Sequence, residues 1–111
     1  MPAPEETASS GYKYSVRVVP AGNDLIVTVC DEELLGMVFR EGDKVLDISN
    51  DFYGGELVDE NEVVTVIREA SILTLVGERA VNIAIREGLI HPESVLRIKG
   101  VPYAMFFKTT I

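Results

Sequence analysis

Apolar and polar side chains alternate from Tyr12 to Val19, with Tyr14, Val16 and Val18 on one side and Lys13, Ser15 and Arg17 on the other. That is the period of a half-buried strand. Pro20-Ala21-Gly22-Asn23 supplies turn chemistry, and Asp24 to Cys30 reads as a second strand, so the pair forms a hairpin. Asp31 stands where an N-cap belongs, with Glu32 and Glu33 in the first turn of a short helix that Gly36 ends. Glu41-Gly42-Asp43 predicts a turn, and Lys44 to Ile48 a short strand. Ser49 to Gly55 is a loop holding two adjacent aromatics and two glycines. Asp59 and Glu62 have the spacing of a capping box, and Val63, Val66, Ile67 and Ala70 follow at helical spacing. Ser71 to Val76 is a continuous apolar run, a strand buried on both faces. Gly77 turns the chain into a helix that runs to Glu87, with Ala80, Val81, Ala84 and Ile85 on its buried side, and Gly88 closes it. Leu89 to Pro92 connects to a strand over Ser94 to Lys99. Gly100-Val101-Pro102 kinks the chain before a last strand, Tyr103 to Thr109.

The predicted order is ββ-α-β-α-β-α-ββ. Its middle section predicts parallel crossovers, and the terminal hairpins add antiparallel strands. The expected fold class is α/β, bordering on α+β, with a mixed sheet and helices packed on it. Residues 1–10 lack any apolar period and read as a disordered tail, and residues 11–111 as one globular domain.

Composition narrows the class. Apolar residues make up 47% of the 111, too many for a disordered chain. No apolar run approaches about 18 residues, so no membrane span or membrane partner is expected. The start has neither a basic segment nor an apolar one, so it does not read as a signal peptide. One Cys excludes an internal disulfide and a Cys-based zinc cluster, and one His excludes the common His-rich layouts. A cytoplasmic protein with no cofactor and no metal is the expectation. Gln is absent, Glu outnumbers Asp twelve to six, and Val and Ile total 24, a thermophile-like balance. Net charge is -8, unevenly spread: residues 1–65 hold 14 acids and 4 bases, residues 66–111 hold 4 acids and 6 bases. One part of the surface therefore repels polyanions while another tolerates them.

Four places carry candidate chemistry. At Gly77, a strand runs through one glycine into a helix, where α/β folds hold anions; the dinucleotide and Walker patterns are both missing. Arg79, Asn82 and Arg86 share one helix face, Arg97 and Lys99 one strand face, and Lys108 lies in the last strand. Together with Tyr103, Phe106 and Phe107 they offer cations beside aromatics, the means by which single-stranded nucleic acid is held. The loop Phe52-Tyr53-Gly54-Gly55, with Asp47, Asp51 and Glu56 nearby, offers a flexible contact site for a cation or a basic partner. Cys30 and His91 form a nucleophile pair only if the fold joins them, and the acids after Cys30 blunt its thiol.

The segment Ala70 to Val81, then Gly88-Leu89-Ile90 and Gly100-Val101-Pro102-Tyr103-Ala104-Met105-Phe106, resembles a small archaeal family known only as a domain of unknown function. The likeness covers Tyr12 to Lys108. It implies an archaeal, cytoplasmic protein, and members of the family are sometimes loosely labelled RNA-binding or translation-associated. Family members often carry His and Gln where this chain has Tyr103 and Met105, which argues against acid-base chemistry there.

The leading expectation is a small binding module that meets RNA or a translation-associated protein through Arg79, Arg86, Arg97, Lys99, Tyr103 and Phe106. The alternative is a small-ligand binder or enzyme at the strand ends near Gly77, closed by Asp51, Phe52, Tyr53 and Tyr103. No nucleophile–base pair is visible, so a binding module is preferred to an enzyme. A homodimer through Val16, Val18, Met105 and Phe107 on an exposed edge strand is compatible with both.

Overall fold

The computed structural model describes residues 11–108; the expected tail and the last residues, 109–111, lie outside them. Strands β1 (Tyr14–Ala21) and β2 (Asp24–Asp31) pair along their whole length. The loop between them has two residues, and Gly22 takes a left-handed φ of 64° there, which a side chain would resist. A 3-10 turn (Glu32–Leu34) leads to the hairpin of β3 (Val38–Glu41) and β4 (Lys44–Asp47). One helical turn, α1 (Asn50–Tyr53), precedes β5 (Glu56–Val58), α2 (Glu60–Glu69), β6 (Ile72–Val76) and α3 (Glu78–Arg86). A second 3-10 turn (Pro92–Ser94) leads to β7 (Leu96–Ile98) and β8 (Val101–Phe107). No peptide bond among the described residues is cis.

The architecture is mixed α+β, as the fold-class expectation had it. The main sheet has six strands in the order β5-β1-β2-β6-β8-β7, and β3-β4 forms a second, two-stranded sheet. Among the described strands only β2 and β6, at the centre, run parallel. The predicted series of parallel crossovers is therefore corrected to one. Between β2 and β6 the chain first builds the separate hairpin and then lays β5 antiparallel on the outer edge of β1. After α3 it returns as the antiparallel β8, beside β6.

Helices α2 and α3 cover one face of the sheet. Tyr14, Val27, Val29, Leu73 and Leu75 from the strands meet Val63, Ile67, Val81 and Ile83 from the helices in the main core. Each such buried side chain contributes roughly 1.5–3 kcal/mol. Part of the opposite face is covered by a second core, where Leu46 and Ile48 pack on Cys30, Val76 and Ile98 with help from Phe39, Tyr53 and Tyr103. Among the described residues nothing covers the rest of that face, where Val19, Ile26, Ile72 and Phe107 stand in one row across four strands. Met105 and Phe107 are exposed on it. Val16 and Val18 lie on the helix side instead, so the four residues expected to share one edge do not share a face; the period of a strand separates them.

Local signals explain most boundaries. Asp59 and Glu62 form the reciprocal capping box, at 3.0 and 3.3 Å. The helix expected after Asp31 is a single 3-10 turn, and Asp31 does not cap it. Its carboxylate is engaged elsewhere.

Candidate functional site at the α3 face

Helix α3 begins at Gly77, whose φ of 110° no L side chain adopts comfortably. Its own N-cap has no side chain to offer, so the cap comes from β2. Asp31 Oδ2 accepts from Arg79 N at 3.1 Å, and Oδ1 from Ala80 N at 2.9 Å. A Cβ on Gly77 would overlap the Asp31 carboxyl group, so the glycine makes room for the cap. The anion position suspected at this strand–helix junction is thus filled by the protein itself. Burial pushes the Asp31 carboxyl up, although the two backbone N–H groups and the Arg79 charge pull the other way. The cavity beside it is about 220 Å³ and is lined by Glu33 and Glu78 as well as Asp31. Asp51, Phe52, Tyr53 and Tyr103 do not line it.

The helical spacing of Arg79, Asn82 and Arg86 does bring them together. All three line a pocket of about 250 Å³ with Tyr12, Tyr14, Glu60 and Ile83. The Arg79 guanidinium carbon lies 3.9 Å from the centre of the Tyr12 ring and 5.8 Å from that of Tyr14, within cation–π range. One Arg79 terminal nitrogen donates to Glu33 at 2.6 Å, while its Nε is buried with no hydrogen-bond partner among the described residues. That hydrogen bond holds the Glu33 carboxyl below its ordinary range and raises the already high pKa of Arg79. Arg86 pairs with Glu60 across to α2. Burial raises the Tyr14 hydroxyl above its usual range.

The remaining predicted bases lie elsewhere. Arg97 donates to Glu78 at 2.8 Å and to the Gly100 carbonyl at 2.9 Å, beside the start of α3. Lys99 is not on the face of Arg97: β7 ends at Ile98, and Lys99 turns with a left-handed φ of 54°, its backbone N–H bound to Glu41. Tyr103 packs in the second core and Phe106 against the main core. Three residues apart on a strand, they face opposite sides of the sheet. The aromatic partners of the Arg79 cation are instead Tyr12 and Tyr14, just before and at the start of β1. Their spacing of two puts both rings on one side of the chain, but nothing local in the sequence points to Arg79.

The Phe52-Tyr53 segment holds one turn of helix rather than a plain loop. Ser49 caps α1, and the two rings meet edge to face with centroids 4.9 Å apart. Tyr53 is half-buried in the second core, while Phe52 and Asp51 are exposed. Ser15 Oγ donates to the Tyr53 carbonyl at 2.9 Å and accepts from Gly55 N at 2.8 Å. A Cβ on Gly54 or Gly55 would overlap the carbonyl of Asn50 or Val16, so these glycines permit close backbone approach. Burial pushes the Cys30 thiol up to about 12, which makes it a poor nucleophile. His91 sits exposed on the turn after α3, its Nδ1 accepting from Glu93 N.

Among the described residues no helix is long and apolar enough to cross a membrane. No curated protein matches the chain. The crystal structure of an uncharacterized conserved protein from Methanopyrus kandleri shares the fold, with a TM-score of 0.75 at 22% identity over 89% of this chain and 96% of that one. Residues 21–109 match the family described as Protein of unknown function (DUF424), to which this chain therefore belongs.

Proposed function

We propose that this chain is a small, non-catalytic binding module for single-stranded RNA, and that α3 presents its site. One observation carries the reading: Arg79, Asn82 and Arg86 converge on a single pocket with Tyr12, which keeps nearly half of its surface exposed. The two arginines suit phosphate oxygens, Asn82 suits a base edge, and the Tyr12 ring suits a stacked base. Glu33 and Glu60 hold the arginines in the free chain. These pairs are partly solvent-exposed, and such pairs are worth only about 0–1 kcal/mol each, so a phosphate can replace them. The buried Arg79 Nε has no acceptor among the described residues, and a phosphate oxygen would supply one. Arg97 and Lys99, beyond the start of α3, extend the track along the backbone of a longer strand.

Fluorescence anisotropy with labelled single-stranded RNA across a salt series tests this. The expected result is binding that weakens as salt rises. Tyr12→Ala is expected to cost about 1–3 kcal/mol, the contribution of one stacked base. Arg86→Glu is expected to weaken binding and flatten the salt slope, and an Arg97→Glu/Lys99→Glu pair to do so only for longer strands. No binding at about 50 mM salt, or equal binding by Tyr12→Ala and Arg86→Glu, sinks the reading.

A further inference from the structure

A second site lies on the far side of α2. A groove of about 770 Å³ runs between that helix and the β1–β5 edge. Val16, Val18, Val58 and Val66 form its floor, and Glu56, Asp59, Glu62 and Glu69 stand around it against one base, Arg17. Asp59 and Glu62 are tied into the capping box, so their charges are fixed at the groove rim.

The edge of the sheet beside the groove is open. The Lys13 carbonyl faces β2, where it accepts from Glu32 N, and the Val16 carbonyl faces the other way, against Gly55. Backbone groups alternate along a strand, so the N–H and C=O of Val18 also point outward. Strand β5 pairs with Tyr14, Ser15 and Val16 only. Beyond Val16 no described strand covers the outer edge of β1. Pro20, two residues on, has no N–H to offer and marks the far end of the open stretch.

We propose that this groove binds an extended basic segment of another protein, which adds to β1 as a strand in line with β5. Strand addition supplies backbone hydrogen bonds through Val18, and alternate side chains supply specificity. Side chains on the helix side stand over the valine floor and among its carboxylates, because Glu56 pairs with Val16 and shares its face. They must be Lys or Arg, whose apolar stems cover the valines while their charged heads reach the rim, because four carboxylates against one guanidinium repel acids and attract bases. The acidic tail of this chain, with Glu5 and Glu6 and no base before Lys13, is not such a segment.

The test uses the full chain and a fluorescein-labelled peptide in which Val alternates with Lys, with a Val/Glu peptide as control. The Val/Lys peptide is expected to bind and the Val/Glu peptide not. Val18→Pro removes the outward N–H without touching the β2 pairing, as Pro20 already does in the same strand phase. It is expected to weaken binding about tenfold. Glu56→Lys with Glu69→Lys, both outside the capping box, is expected to weaken it at least about tenfold. In the unsubstituted chain, exchange of the Val18 amide slows when the peptide is bound. Failure of the Val/Lys peptide to bind overturns the proposal. So does equal binding by Val18→Pro, or Val18 exchange unchanged by bound peptide, since charge alone would then hold the peptide.

Discussion

Asp31 joins sequence, fold and titration at one position. It ends β2, is 2% exposed, and closes the start of a helix 47 residues later in the chain. Burial raises its pKa above the ordinary 3.8. The folded chain then holds the proton more tightly than the unfolded chain, so stability through this group falls as pH rises between the unfolded and folded values. Glu33, on the same Arg79, has the opposite sign. Its pKa is lowered from 4.5, so its stabilisation is present above that value and is lost as pH falls through the folded one. Asp31→Asn keeps one acceptor for α3 and removes the buried charge. Thermal melts of this variant and its parent are expected to show the variant gaining on the parent as pH rises from about 4 to 7. A constant difference between the two melting temperatures would mean that the charge of Asp31 has no part in stability.

At the scale of elements, what the sequence revealed depended on whether the cause was local. Helix α2 was legible because its cap and its apolar stripe lie within twelve residues, Asp59–Ala70. Asp59→Ala removes the acceptor for Glu62 N and is expected to cost about 0.5–2 kcal/mol in urea unfolding. A smaller loss would show that the packing of Val63 and Ile67 alone fixes the helix start. Strands β3 and β5 were not legible. Each has at most four residues, and each exists because of a distant or exposed partner: β5 adheres to β1, and only Phe39 of β3 packs inward. The site divides in the same way. Helical spacing correctly grouped Arg79, Asn82 and Arg86. The grouping of Arg97 with Lys99 failed because a strand phase ends where the strand ends. The pairing of Tyr103 with Phe106 failed because an odd spacing crosses the sheet. The contact of Tyr12 with Arg79 joins residues 67 positions apart, and no local pattern announces it.

At the scale of the molecule, one sheet carries two cores of unequal strength. The main core lies under two helices and includes the central strands β2 and β6. The second is closed by a two-stranded hairpin whose Val38 and Val45 face solvent. Beyond Leu46, Ile48 and Phe39, it is anchored by Gly36 N to the Ile48 carbonyl at 2.7 Å and Ile48 N to the Met37 carbonyl at 2.9 Å. Fewer apolar contacts and a more exposed ladder mean a lower opening free energy. Native-state hydrogen exchange is therefore expected to find β3–β4 amides opening below the global unfolding energy, and Val27, Val29, Leu73 and Leu75 only with it. Cys30 gives an independent reading, because its thiol is fully buried beneath that hairpin. If the hairpin lifts alone, the thiol reacts with a disulfide reagent at the rate of that opening, faster than the chain unfolds. If thiol labelling and exchange of the central strands share one rate, the two cores form one cooperative unit and the hairpin is as firmly held as the helices.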